Sequence, residues 1–168
     1  MSAWGLTYLG ADRVAEEQGL GSTGPEAIQA GRLFTARITE ALEARTSIML
    51  ESTLSGLGTR RLIDRFRQAG YDVTAVLVFV DSAEVCIARI RERVARGGHF
   101  VPDDDVRRRF PRSLRNFWNT YRLQADRWQL HYNGQGGTIE VARGEGVVTE
   151  VLDRPAFETF ERLLGVSR

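Results

Sequence analysis

The sequence predicts an α/β fold in which a mainly parallel sheet is flanked by helices. Strand-like apolar runs alternate with segments of helical periodicity along the whole chain. The clearest strand, DVTAVLVFV at 72–80, is β-branched and apolar on both faces, as a buried parallel strand should be. The 168 residues contain neither an internal repeat nor a long linker, so we expect a single domain over 1–168.

The first third of the chain predicts two short strands separated by a long helix. Residues 7–9 form the first strand, which continues into a loop or helical turn that carries Asp12. Pro25 suits the first position of a helix that continues to about residue 45. The apolar run SIML at 47–50 is the second strand. Three polar residues follow its carboxyl end: Glu51, Ser52 and Thr53.

One helix is expected before the strand 72–80 in the sequence, and another after it. The spacing of apolar residues predicts a helix over 59–69, which Gly70 terminates. After the strand, Asp81 opens a capping box that starts a helix over 82–96.

The last third begins with a helix after Pro102 and predicts a long amphipathic helix from Arg112 to Trp128. Four aromatic residues at helical spacing in this region are interpreted as core rather than as a base-stacking surface: Phe117, Trp118, Tyr121 and Trp128. The remaining expected elements are a loop at 132–137, a strand at 138–143, an edge strand at 147–152 and a helix at 156–164.

Composition narrows the class of protein. The net charge of +1 gives no overall attraction to nucleic acid or membrane, and no apolar run approaches the roughly 20 residues of a membrane span. The single cysteine, Cys86, and the absence of a signal-peptide pattern fit a cytoplasmic protein. All 23 basic residues are arginine, so a catalytic lysine or a phosphate-loop lysine cannot come from this sequence.

Arginine is concentrated in the segment RVARGGHFVPDDDVRRRFPRSLRNF at 93–117. A helix that ends at Gly97 and another that begins after Pro102 would direct these side chains at one cleft, and the planar guanidinium suits phosphate oxygens. The alternative is a solvated basic helix face. The arginines concerned are Arg93, Arg96, Arg107, Arg108, Arg109, Arg112 and Arg115.

Three parts of the sequence are expected at the carboxyl edge of the predicted sheet, where parallel α/β proteins bind ligands: Asp12, Glu51 and the arginine-rich segment after the strand 72–80. Asp12 could accept a proton from an attacking hydroxyl group, or simply cap a helical turn. Glu51 and Thr53 offer an acceptor and a hydroxyl that suit a sugar or nucleoside, or are ordinary strand-end polarity. His99 lies on a loop, where a histidine is more often merely exposed than catalytic. With His131 as the only other histidine, no metal site is expected.

Three segments, in this order, resemble the zeta-toxin family of P-loop kinases: ADRVA at 11–15, ESTLSG at 51–56 and the arginine-rich segment 93–117. The resemblance is to the branch with ETTLSG and GGHxVP…RRxxRSLxN signatures, and it covers roughly residues 7–145.

The resemblance implies a parallel α/β kinase sheet that uses ATP and Mg²⁺ to phosphorylate a UDP-N-acetyl amino sugar. By this resemblance Asp12 is the catalytic base, and Glu51 and Thr53 position the substrate. The phosphate-gripping positions fall among the arginines of 93–117, with the register left open. We assign Arg109 and Arg112 to catalysis and three residues to substrate binding: Arg96, His99 and Arg108.

The sequence departs from the family because it contains no strand followed by GxxxxGK[ST], the loop that holds the β- and γ-phosphates. Three explanations stay open: a wrong start or truncation, a degenerate member kept for binding, or a sheet that closes up or is completed by a second copy as a homodimer. We expect negligible ATP-dependent turnover from these residues alone.

The expected ligand is a nucleotide-sugar-like small molecule, with an antitoxin protein as a further partner and with neither membrane nor nucleic acid as a target. A non-catalytic binding module is the first alternative. Nucleic-acid binding through the arginines is the second, and it predicts an affinity that falls steeply with salt.

Overall fold

The structure, a computed structural model, describes residues 6–19 and 24–165, without the side chains of Ala11, Asp12 and Ala27. Contacts group the chain into two compact units, one up to Ser52 and one from Thr53 onward. The prediction of a single domain over 1–168 stays a prediction.

The first unit contains the two expected strands, which are parallel, and the expected long helix, while the loop or turn predicted at Asp12 is a helix of seven residues. Its elements are β1 (Thr7–Gly10), α1 (Ala11–Glu17), α2 (Gly24–Glu43) and β2 (Ile48–Glu51). The strands pair in register from Thr7 opposite Ile48 to Gly10 opposite Glu51. Apolar side chains from both helices and β1 are buried: Leu9, Val14, Ala15, Ala30, Ile38 and Ala41.

The second unit is built on a four-stranded sheet with strand order β3-β4-β5-β6. Its strands are β3 (Thr74–Phe79), β4 (Arg127–Gly134), β5 (Gly137–Glu145) and β6 (Val148–Val151). Its helices are α3 (Gly58–Gln68), α4 (Ala83–Ala95), α5 (Asp103–Asn116), a π-helical segment (Phe117–Tyr121), α6 (Arg122–Gln124) and α7 (Arg154–Leu164). The β3–β4 pair is parallel, and the two later pairs are antiparallel. The predicted α/β class, with parallel strands and flanking helices, is confirmed.

The core of this unit lies where α3, α5, the π-helical segment and α7 meet one face of the sheet. Phe117, Tyr121, Trp128 and Phe160 are completely buried there. The Trp118 ring packs edge-on against Phe160 at a centroid distance of 5.4 Å. The interpretation of these aromatic residues as core is therefore confirmed.

The predicted helix from Arg112 to Trp128 is wrong in its last part. Helical structure ends at Gln124, and Trp128 belongs to β4. This strand includes the first three residues of the predicted loop 132–137 and ends at Gly134, where a two-residue turn leads into β5. Residues 128–131 alternate between buried and half-buried, the period of a strand. An aromatic residue seven positions after Tyr121 fits the helical period, so helical spacing alone misassigned it.

Two smaller expectations also need correction. The N-cap of α4 is Ser82, whose Oγ accepts a hydrogen bond from the Val85 amide at 3.3 Å, because Ser82 has the extended backbone a cap requires. Asp81 instead accepts a hydrogen bond from the Tyr132 hydroxyl at 2.9 Å. The strand 72–80 is not buried on both faces: Val76 and Val78 are 46 % and 54 % exposed, since the core lies on the opposite face.

Candidate functional site

The carboxyl ends of β1 and β2 bring two of the predicted site positions together in the first unit. Because the parallel strands are in register, Gly10 lies opposite Glu51, and α1 starts at the next residue. A Cβ atom at Gly10 would stand 3.5 Å from Glu51 Oε2 and 3.2 Å from the Tyr8 hydroxyl, so the exposed Glu51 carboxylate lies close over Gly10. Asp12 is the second residue of α1, but its side chain lies outside the described residues.

A groove of about 450 Å³ lies elsewhere in this unit, bordered by β1 and α2. Two of its charged lining residues pair with each other, since Glu17 accepts a hydrogen bond from Arg37 at 2.7 Å, and Glu17 accepts another from Arg13 at 3.0 Å. The Arg37 guanidinium, followed by that of Arg13, holds the pKa of the Glu17 carboxyl below its usual range. Glu51 does not line this groove.

In the second unit, Thr53 opens a loop over residues 53–57 that leads into α3. The Thr53 and Ser55 hydroxyl groups are hydrogen-bonded at 2.9 Å. Leu54 has a φ of +54°, a backbone conformation that residues with a side chain rarely adopt. Thr53 itself is exposed, and its contact with substrate stays a prediction.

Three side chains that follow one another along a single helical stretch hold this loop by its carbonyl groups. The Ser113 hydroxyl donates to the Thr53 carbonyl oxygen, and the Asn116 amide donates to that of Leu54 at 2.8 Å. The Tyr121 hydroxyl donates to the Gly56 carbonyl oxygen. The loop and the RSLRN segment, which the sequence presents as separate motifs, are therefore joined in the structure.

The arginines at the start of α5 are occupied by carboxylates. Asp105 accepts hydrogen bonds from Arg108 at 2.6 Å and from Arg109 at 2.7 Å. Arg107 donates to both carboxylate oxygens of Glu84, at 2.9 and 3.2 Å. The hydrogen bond from Arg108 lowers the pKa of Asp105, and that from Arg107 lowers the pKa of Glu84. The assignment of Arg108 and Arg109 to substrate and catalysis stays a prediction.

The remaining predicted side chains are exposed. Arg96 forms the C-terminal cap of α4, and His99 follows the Gly97–Gly98 turn, where its carbonyl oxygen accepts a hydrogen bond from Arg93 at 3.2 Å. Arg112 lies on α5 without an ion pair among the described side chains. Their roles, like that of Asp12, stay predictions.

Sequence reasoning missed Ser113, Asn116 and Tyr121, which make the long-range contacts of this region. Ser113 and Asn116 belong to the RSLRN segment, but the sequence analysis assigned roles there only to arginines, because it looked for residues that bind phosphate. Tyr121 was interpreted as core, which is correct for its ring, while its hydroxyl group has the additional partner described above.

The residues present do not fit an ATP–Mg²⁺ site of the P-loop type. The sequence has no lysine and no GxxxxGK[ST]. Within 6–19 and 24–165, no three His, Cys, Asp or Glu residues are grouped so as to hold a metal ion. Over the same residues, no helix is both long and apolar enough to cross a membrane.

Comparison with known proteins connects these features to a family. The family model described as Zeta toxin matches residues 23–139. An uncharacterised protein of Haemophilus influenzae is 31 % identical over 83 residues, which cover 49 % of this chain and 59 % of that protein. No solved structure matches. The matched region contains the 53–57 loop, the arginine-rich segment and β4, and extends over more than half of the sequence, so the chain belongs to the zeta toxin family of kinase-like P-loop proteins.

Proposed function

We propose that this chain is the substrate-binding part of a zeta-toxin-like kinase domain and that it recognises a hydroxyl-bearing nucleotide sugar such as a UDP-N-acetyl amino sugar. The observation that carries the proposal is the register of β1 and β2, which places Glu51 beside Gly10 and the start of α1. Ligands of parallel α/β proteins bind at this edge.

Each residue has a distinct role in the proposal. In the first unit, the exposed Glu51 carboxylate accepts a hydrogen bond from a sugar hydroxyl group. In the second unit, the exposed Thr53 offers a neutral hydroxyl group that suits a sugar nucleotide. Asp12, as general base, takes the proton of the hydroxyl group that is phosphorylated. Because the residues present do not fit ATP–Mg²⁺, we expect binding of the sugar nucleotide with negligible ATP-dependent turnover.

Isothermal titration calorimetry tests the proposal. We expect the wild-type protein to bind UDP-N-acetylglucosamine and to give no binding heat with ATP–Mg²⁺. Glu51→Gln should weaken the sugar-nucleotide affinity about tenfold or more, the effect of losing one charge-assisted hydrogen bond. Glu43→Gln, an exposed change at the end of α2, should leave the affinity unchanged.

Three results contradict the proposal. If UDP-N-acetylglucosamine does not bind, or if both variants lose affinity equally, Glu51 does not position a sugar. Tight binding of ATP–Mg²⁺ would show that the chain holds its nucleotide without a P-loop lysine. A protein-binding role, with an antitoxin as partner, is the alternative that remains when neither ligand binds.

Nucleic acid is not included in the proposal. Three of the arginines at the start of α5 are paired with carboxylates of α4 or α5, which reduces the positive charge available to a phosphate backbone: Arg107, Arg108 and Arg109. The net charge of +1 supplies no general attraction either.

A further inference from the structure

The three hydrogen bonds between residues 113–121 and the 53–57 loop form a consistent set. Each donor is a side chain, and each acceptor is a loop carbonyl oxygen, belonging to Thr53, Leu54 or Gly56. The donors are sixty or more positions later in the sequence than their acceptors, so the contacts are fixed by tertiary structure. None of the three donors is charged.

The π-helical segment explains how the three donors face one loop. Ser113 and Asn116 are three residues apart in α5, which places them on the same side of an α-helix. Tyr121 is five residues after Asn116, a spacing that would carry it to another side if the α-helix continued. The wider i→i+5 turn over Phe117–Tyr121 brings Tyr121 back toward the side of Asn116.

The loop is also anchored from within. Leu54 packs its half-buried side chain against the core, while its backbone has the positive φ of +54°. A residue in that conformation persists when several contacts around it fix it, and here the core and the Asn116 amide both do so. Three residues after Tyr121, the Gln124 side chain donates a hydrogen bond to the Arg60 carbonyl oxygen at 3.0 Å, in the first turns of α3.

We infer that Ser113, Asn116 and Tyr121 are positioning residues, which hold the 53–57 loop in the one conformation that presents the Thr53 hydroxyl to a sugar nucleotide. The role of Thr53 in this inference rests on the proposed function, whereas the fixing of the loop does not. The RSLRN segment then contributes to binding through its serine and asparagine as well as through any arginine. Because the donors bind the carbonyl groups, the Thr53 and Ser55 hydroxyl groups are left to pair with each other and with a ligand.

The test compares four variants with the wild-type protein. Asn116→Asp keeps the size of the side chain but replaces its donor by an acceptor facing the Leu54 carbonyl group. Ser113→Ala removes the hydroxyl donor, and Ser113→Thr restores one. Asn119→Asp is the matched control, since Asn119 is exposed on the same helical stretch. The readouts are backbone ¹⁵N order parameters, the affinity for UDP-N-acetylglucosamine and the thermal unfolding midpoint.

We expect Asn116→Asp and Ser113→Ala to lower the order parameters of residues 53–57 from a rigid value of about 0.85 toward about 0.6. Those of α7 should stay rigid, and the unfolding midpoint should fall by only about 2–4 °C, the effect of losing about one hydrogen bond. The affinity should fall about tenfold. Ser113→Thr and Asn119→Asp should behave as the wild type, which a general loss of packing would not reproduce.

Two outcomes overturn the inference: unchanged order parameters in the loop, or a loss of order in α7 equal to that in the loop. If the wild-type protein fails to bind the sugar nucleotide, the proposed function is wrong, and the order parameters of 53–57 still decide whether these side chains fix the loop.

Discussion

The two halves of α5 use their polar residues differently. In the first half, Asp105 pairs with arginines three and four positions later in the same helix. In the second half, Ser113 and Asn116 bond to groups that are 60 and 62 positions away in the sequence. The charged side chains of the first half pair within α5 or with the neighbouring α4, whereas the two neutral donors of the second half reach more distant parts of the chain.

The difference shows that the density of charge in a sequence is a poor guide to where tertiary contacts form. Ion pairs between exposed side chains contribute little to stability, because water and salt screen them. The three aspartates in the first turn of α5, from Asp103 to Asp105, favour the helix itself through its dipole. Neutral donors that reach partly buried carbonyl groups restrain the fold more, since those carbonyl groups have less access to water.

The largest effect is expected from Leu114→Ala, which removes the apolar anchor between the two neutral donors of α5. Leu114 is 2 % exposed and belongs to the core, so the truncation should cost about 2–5 kcal/mol of unfolding free energy. Urea denaturation followed by near-UV circular dichroism measures it. Leu123→Ala, at a leucine that is 46 % exposed, is the control, and an equal loss in both variants would contradict the comparison.

Tyr121→Phe should have the next largest effect, because it keeps the buried ring and removes only the hydroxyl group. The Gly56 carbonyl group then loses its donor, and the unfolding free energy should fall by about 0.5–1.5 kcal/mol. The dependence on urea concentration should keep its slope, since the surface exposed on unfolding is unchanged. A neutral result would mean that water replaces the hydroxyl group at Gly56 without cost.

Asp105→Asn tests the charged half through its dependence on pH. The pKa of Asp105 is lowered in the folded protein, mainly by its hydrogen bond from Arg108, so its stabilising contribution is present above the unfolded pKa and is lost as pH falls through the folded value. The variant should be slightly less stable than the wild type at neutral pH. The difference should begin to shrink as pH drops below about 4, the ordinary pKa of an aspartate, and should vanish only below the lowered pKa of the folded protein.

Chemical denaturation at a series of pH values measures this difference. Asp104→Asn is the control, because the Asp104 side chain is fully exposed and lies 3.4 Å from Arg107, so a smaller change is expected. High salt should reduce the effect of Asp105→Asn by screening its ion pairs. A difference that grows toward low pH would contradict the assigned cause.

Much of the fold could be predicted where local chemistry decides it. Asp153 accepts a hydrogen bond from the Ala156 amide and caps α7, which follows a capping residue and a proline in the sequence. The start of β4 could not be predicted in this way. Trp128 fits the helical spacing of the preceding aromatic residues, and the parallel pairing with β3 that makes it a strand residue is a long-range contact.

In the candidate site, too, local sequence predicts some features and long-range packing decides the others. Glu51 could be placed at a strand end from the sequence alone, because a short apolar run precedes it. The donors Ser113 and Asn116 could not be connected to the 53–57 loop, since which carbonyl group a side chain reaches depends on the packed helix. The turn that aligns Tyr121 with them is a π-helical segment, for which the pattern of apolar residues gives no signal.

The smallest effects on stability are expected from Arg112→Ala and Arg115→Ala. These variants test whether arginine contributes to binding in the second half of α5. Both side chains are exposed, so each change should alter the unfolding free energy by less than about 0.5 kcal/mol. If Arg112 grips a phosphate group, as the family resemblance implies, its loss should weaken UDP-N-acetylglucosamine binding about tenfold or more, and Arg115→Ala should not. Calorimetric titration of both variants makes the comparison. Equal losses of affinity would indicate general attraction by positive charge. If neither variant loses affinity, the second half of the helix contributes to binding only through the neutral donors that hold the loop.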